Sequence, residues 1–202
     1  MVQLIEGIDF AAAKIRVAKI LDRPDLIHHK NPGCTLPAYA ALKELPIGFL
    51  AELGVREVIG EYGKPELEIP YRGEDGKVVT IRRRIALTGK KHTLSAKGST
   101  ASLYGLDRLA AAKAAGFAFL VEGESDSQTL WFNDYPAFGL SGAGTYSDRL
   151  AAATLAQLPE IYATIEPDQA GEGLAHKLAG SAIADHVRLV RFANGIKDAS
   201  AL

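Results

Sequence analysis

The chain has 202 residues, 48% of them hydrophobic and 23% charged, a balance that supports a packed core and argues against a disordered chain. A formal net charge of −1 argues against indiscriminate binding to polyanions, and the single Cys34 permits neither an internal disulfide nor a C-x-x-C zinc pair, so a reducing cytoplasm is the expected setting. No run of about 18 apolar residues offers a membrane-spanning helix, and the N-terminus lacks the basic and apolar regions of a signal peptide.

Residues 8 to 21 (IDFAAAKIRVAKIL) carry helical spacing that Pro24 ends. A polar linker follows between Asp22 and Pro37, and its His28, His29 and Cys34 read as loop residues rather than a metal cluster. Thr35 as an N-cap, Pro37 in the first turn, Pro46 opening a second helix and Gly54 closing it predict a helical pair over 36 to 53. The stretch LEIPYRGEDGKVVTIRRRIAL alternates on both sides of Glu74-Asp75-Gly76, a hairpin signal. On its second strand Arg82 and Arg84 share a phase while Arg83 faces away.

After a Gly/Lys/Ser loop from Thr88 to Ser99 the rhythm changes. Helices predicted at 105 to 114, 126 to 132, 147 to 156 and 169 to 183 alternate with strands at 117 to 121, 137 to 140, 160 to 165 and 187 to 191. That alternation means right-handed crossovers and a largely parallel sheet covered on both faces. The expected organisation is an N-terminal helix and linker (1–34), a helical and β-hairpin basic lobe (35–104) and a compact α/β domain (105–202).

Charge is unevenly spread along this plan. From Arg72 to Lys113 there are ten Lys or Arg against three acids, a balance of +7 that leaves −8 for the remainder. One part can hold a polyanion and the other cations.

The acids are not scattered. In open α/β sheets ligands sit beyond the carboxyl ends of the strands, facing helix N-termini. Glu122 takes that position after the strand FAFLV, Gly123 permits a tight turn, and Asp126 opens the next helix. The pattern recurs in IYATIEPDQAGEG, where a strand delivers Glu166 and Asp168 and Gly171 lies just inside the following helix. Residues two apart on an extended segment point the same way, so Glu166 and Asp168 are expected to face one ligand. If the two strands are neighbours, four carboxylates meet at one crevice, where either protons or divalent cations must offset their repulsion. Oxygen-only donors favour Mg²⁺ or Mn²⁺ and a phosphoryl-transfer reaction. The competing reading makes Asp126 and Asp168 helix N-caps and the glutamates partners of helix dipoles.

Glu122-Gly123-x-x-Asp126 after an apolar strand, followed by Glu166-x-Asp168-x-Ala170-Gly171 after a later one, resembles the Toprim domain shared by bacterial and phage primases, topoisomerases and some nucleases. The first acid of the second motif is usually Asp in that family and is Glu166 here. A third acidic element resembles Asp198 in GIKDASAL, with Ser200 standing where a second acid is often found. Upstream, KHTLSAKGSTASLYGLDRL resembles the primase segment in which a Lys-bearing loop precedes Leu-Tyr-Gly-Leu. The hairpin IPYRGEDGKVVTIRRRI is similar to the primase stretch that ends on an arginine facing the catalytic cleft. The resemblance covers roughly residues 36 to 202 and is nearest to primases of phages and mobile elements.

It implies an α/β Toprim domain behind a small α+β lobe, and a DNA primase core that joins nucleoside triphosphates into a short RNA primer on single-stranded DNA during replication. By position it makes Glu122 a metal ligand or general base, Asp168 and Glu166 principal ligands of two Mg²⁺ or Mn²⁺ ions, and Asp126 and Asp198 supporting acids. Arg84, Lys91 and Lys97 would grip template or triphosphate, and Arg82 joins them through the phase it shares with Arg84. A helicase and a zinc-binding module would be partners outside this chain, with no zinc of its own. Tyr104 reads as a packed aromatic rather than a topoisomerase nucleophile, Trp131 as core, and Ser141 to Gly144 as a turn. A Toprim nuclease and a non-catalytic nucleic-acid adaptor stay open as alternatives.

Overall fold

The computed structural model describes residues 10–22, 33–60, 63–89, 92–95, 102–192 and 198–201. Helix α1, Phe10–Ile20, realises the first periodic stretch. The predicted helical pair is α2, Leu36–Leu42, and α3, Ile47–Glu52. Thr35 caps α2 by accepting from the Ala38 N–H, with Pro37 in the first turn, where its missing N–H costs nothing.

An antiparallel sheet follows in the order β1 (Arg56–Ile59), β2 (Pro65–Arg72), β3 (Val78–Arg84) and β4 (Thr93–Ser95). The β2–β3 hairpin turns at Glu74-Asp75-Gly76 as expected, with Ile69 opposite Arg82. Strands β1 and β4 are absent from the sequence-based expectation. Both are short, and β1 is mostly exposed, so their own patterns carry little signal. They are strands because β2 and β3 present unpaired backbone edges for them to complete.

The second sheet is wholly parallel. Its strands are β5 (Phe117–Val121), β6 (Ala137–Gly139), β7 (Glu160–Thr164) and β8 (Val187–Val190), in the spatial order β6-β5-β7-β8. They are linked through α5 (Glu124–Phe132), α6 (Asp148–Leu155) and α7 (Gln169–Ala179), while α4 (Leu109–Ala115) leads into β5. Most boundaries fall within one residue of expectation, and three helices differ by more. The first helix of this region opens with a 3₁₀ turn at Leu106–Arg108, α5 begins two residues early, and α7 stops at Ala179 before Gly180 rather than reaching residue 183.

Two cores organise the molecule. One packs Ala118, Leu120, Phe138, Ile161 and Ala163 of the parallel sheet against Leu109 and Ala112 of α4, Ala151 and Leu155 of α6, and Leu174 and Leu178 of α7. The other joins Tyr39, Leu50, Leu67, Ile69 and Tyr71 of the first lobe to Tyr104, Val121, Leu130, Trp131 and Ala137. The sheet is therefore covered on one face by helices, and on the other α5 and the first lobe close over Val121 and Ala137, leaving Phe117, Phe119 and Tyr162 half-buried. Tyr104 stacks between Tyr71 and Trp131, with centroids 4.9 and 4.8 Å away, and exchanges two backbone hydrogen bonds with Gly139 at the end of β6. Tyr104 and Trp131 are thus packed aromatics, as their contexts predict. No helix among the described residues is long and apolar enough to cross a membrane.

Candidate active site

The chain leaves β5 for one neighbour, β6, and then crosses to the other side of β5 to form β7. The two loops diverge at that reversal, and the gap between them is where an open α/β sheet takes a ligand. Val121 ends β5 and Thr164 ends β7, and the parallel register Leu120 to Ala163 brings the residues that follow to one edge. Glu122 and the pair Glu166 and Asp168 accordingly leave neighbouring strands on the same side of the molecule.

Local geometry explains the two motifs. Gly123 caps α5 with φ +140°, a conformation open to glycine and strained for other residues, so the chain turns from strand into helix within two residues. Glu122 is half-buried, with its Oε1 atom inside the protein. At the second turn, the Asp168 N–H donates to the Glu166 carbonyl, 2.8 Å, while Asp168 caps α7 by accepting from the Gly171 N–H, 2.9 Å. A Cβ on Gly171 would lie 2.2 Å from the Glu166 carbonyl oxygen, so the motif's glycine is the residue that lets the helix start against the turn. The expectation that Glu166 and Asp168 share a phase on an extended segment does not hold. The segment folds back over three residues, and the turn, not the pleat, sets the two directions. Asp168 does act as the N-cap of the competing reading, through Oδ1 alone.

Asp126 and Asp198 form a second group. Asp126 is buried in the first turn of α5, and its Oδ1 accepts the Ser200 N–H at 3.2 Å; the Ser200 hydroxyl donates to Asp198 at 2.9 Å and accepts from Lys43 Nζ at 2.7 Å. Burial, reinforced by the charge of Asp198, pushes the Asp126 carboxyl up to about 6. Ser200, which stands where the family pattern often has an acid, is thus the link that ties Asp198 to α5.

The basic residues divide differently. Arg82 and Arg84 lie on one face of β3 and Arg83 on the other, as their phase predicts. Both are buried nevertheless, 8% and 4% exposed. Arg84 donates to the Leu87 carbonyl at 2.6 Å and stacks over the Tyr39 ring, 4.9 Å from its centroid. Arg82 donates to Glu124 at 2.7 Å and to Thr93 at 2.7 Å. A phosphate would have to displace those partners. Lys91 and Lys97, like His28 and His29, lie outside the described residues. Cys34 is buried and not in a disulfide, and burial pushes its thiol up.

Sequence reasoning passed over Glu124. It is the first residue of α5, 4% exposed, and accepts from Tyr71 Oη and Arg82, both at 2.7 Å. Burial, with Glu124 beside it, pushes the Tyr71 phenol up, so it stays a donor. Next to this group Tyr39 donates to Gln128, 2.7 Å, and Gln128 donates to Tyr104, 3.1 Å. The available signal was an acid placed between two site acids at a helix start, facing a hairpin whose buried phase carries an arginine.

The donor set at the strand ends and beside α5 is made of carboxylate oxygens, which suits a hard divalent ion, and a buried carboxyl held near 6 is a group that a cation would relieve. Among the described residues, no three His, Cys, Asp or Glu side chains stand close enough together to hold a metal ion in the present arrangement.

The architecture is a parallel α/β sheet flanked by helices behind an antiparallel lobe, and solved structures share it. The chain is similar to the primase fragment of the bacteriophage T7 primase-helicase, at 22% identity over 79% of this chain and 66% of that one, with a TM-score of 0.60. It is similar to the Aquifex aeolicus primase (zinc-binding and RNA polymerase domains), at 18% identity over 98% of this chain and 64% of that one, TM-score 0.65. The RNA polymerase domain of Mycobacterium tuberculosis primase DnaG matches at 15% identity over 94% of this chain and 77% of that one, TM-score 0.64. The chain thus has the fold of bacterial and phage primase catalytic cores and spans about two thirds of the first two structures. No family model and no curated protein matches its sequence.

Proposed function

We propose that this chain is the catalytic core of a DNA primase, a metal-dependent nucleotidyltransferase that assembles short RNA primers on single-stranded DNA. The observation that carries the reading is the delivery of Glu122 and of Glu166 with Asp168 to one edge of a primase-type fold by the adjacent parallel strands β5 and β7. A primase catalytic domain bound to single-stranded DNA is among the similar structures, which supports that template class.

Glu122, Glu166 and Asp168 would hold Mg²⁺ or Mn²⁺, with Asp126 and Asp198 as supporting acids. Bound there, a pair of such ions supplies an activated 3′-hydroxyl and steadies the departing pyrophosphate. Glu122, directly after β5, is the acid assigned to accept the hydroxyl proton. Lys91 and Lys97 remain the candidates for phosphate contacts, and Arg82 and Arg84 join them only by giving up Glu124 and the Leu87 carbonyl respectively. The chain contains one cysteine, so a cysteine-built zinc module would have to come from outside it, as would a helicase. Phage or mobile-element origin fits the resemblance of the motifs and stays part of this proposal.

The test is incubation with single-stranded DNA, labelled ribonucleotides and Mg²⁺ or Mn²⁺. Lengthening products that disappear in Glu122→Gln support the primase. A shortened template replaces it with the nuclease, and DNA binding with no product from either protein replaces it with the adaptor.

A further inference from the structure

Arg82 and Glu124 form an ion pair across the boundary between the lobes, inside the protein, with side chains only 10% and 5% exposed. Arg82 stands on β3 of the antiparallel sheet and Glu124 on the first turn of α5, two residues from Glu122 and two from Asp126. The contact is a small network. Arg82 Nη1 reaches Glu124 at 2.7 Å and the Tyr71 hydroxyl at 3.3 Å, Nη2 reaches Thr93 of β4 at 2.7 Å, and Tyr71 of β2 donates to the same glutamate oxygen. One guanidinium thereby binds three strands of the basic lobe to the turn that carries the site acids.

Stability alone is a poor reason for this arrangement. Taking two charges out of water offsets most of their attraction, so an apolar pair of similar volume would hold the lobes together about as well. Arg82 Nε is moreover buried without a hydrogen-bond partner, which adds to the cost. An apolar contact slides, whereas a fork-shaped donor held at Glu124 and Thr93 fixes direction and distance.

We propose that Arg82 and Glu124 are positioning residues that set the register between the phosphate-binding lobe and the acid-bearing turn. The proposal rests on the primase reading for its catalytic consequence and is independent of it for its structural one. The pair also offsets the charge of Glu124, which lies between Glu122 and Asp126 in the chain.

The test is the double variant Arg82→Met/Glu124→Leu in the full chain, compared with the parent by thermal melting, by priming kinetics and by the distance between spin labels at Glu74→Cys and Arg149→Cys, both exposed positions. The expected result is a melting temperature close to the parent's, an interlabel distribution about twice as wide, and a kcat lowered at least about tenfold with the template KM little changed. A double variant with the parent's distribution, or with a wider one and full kcat, overturns the proposal. Should that variant not fold, Arg82→Lys keeps the charge but loses the second arm of the fork, and it must widen the distribution to sustain the idea. If the parent itself makes no primer, the label distances still decide the register while the function falls separately.

Discussion

The two acidic turns of the parallel sheet look alike in sequence and are held in opposite ways. The turn at 122–126 is woven into the first lobe: Glu124 is bound by Arg82 and Tyr71, and Asp126 by the Ser200 backbone. The turn at 166–168 is fixed by its own backbone, through the Glu166 carbonyl, the Asp168 cap and the close approach of Gly171, and Asp168 is exposed. One set of carboxylates is prearranged by distant parts of the chain and the other by neighbours within five residues. A shared motif therefore says where acids emerge, not what anchors them.

The largest expected effect breaks the second turn chemically while leaving it folded. Asp168→Asn retains an N-cap oxygen for Gly171, so the melting temperature should stay within a few degrees while primer synthesis falls by more than about 100-fold. A labelled-nucleotide extension assay reads it, and full activity in the variant would remove Asp168 from the site. Gly171→Ala attacks the same turn mechanically. Its Cβ has no room beside the Glu166 carbonyl, and a loss of about 3 kcal/mol is expected in urea denaturation, more than for alanine at most helix positions.

The first turn is probed by pH. With its carboxyl raised to about 6, Asp126 keeps a proton in the folded chain that the unfolded chain releases near pH 4, so stability falls as pH rises between those values and stays lower above. In EDTA, Asp126→Asn should remove that slope and be more stable than the parent at pH 8, by about 3 kcal/mol. Melting curves at pH 4.5 and 8 that move in parallel for both proteins would contradict it. The smallest effect belongs to Tyr71→Phe, which deletes one donor to Glu124 while Arg82 remains. About 1 kcal/mol should be lost in chemical denaturation, and little if the hydroxyl were incidental.

Much of the parallel sheet was legible because helix and strand periods alternate over long stretches, and because Gly123, Thr35 and Gly171 do jobs that their types announce. Strands β1 and β4 were not, since REVI and TLS become strands only by completing the edges of β2 and β3. The phase of Arg82 and Arg84 was readable, but which side of the sheet would be sealed was not. That depended on α5, whose glutamate lies 42 residues from its arginine. The extended backbone expected for Glu166 and Asp168 is absent for a local reason: a tight turn, closed by the Asp168 N–H on the Glu166 carbonyl, replaces it.

The second core, running from Tyr39 and Ile69 through Tyr104 to Trp131, has a consequence for how the molecule comes apart. Neither half owns enough apolar neighbours to enclose these rings alone, so cutting the chain near residue 104 would bare aromatic surface on both fragments. Heating should then produce a single calorimetric peak, and the separately expressed halves should precipitate unless they are made together.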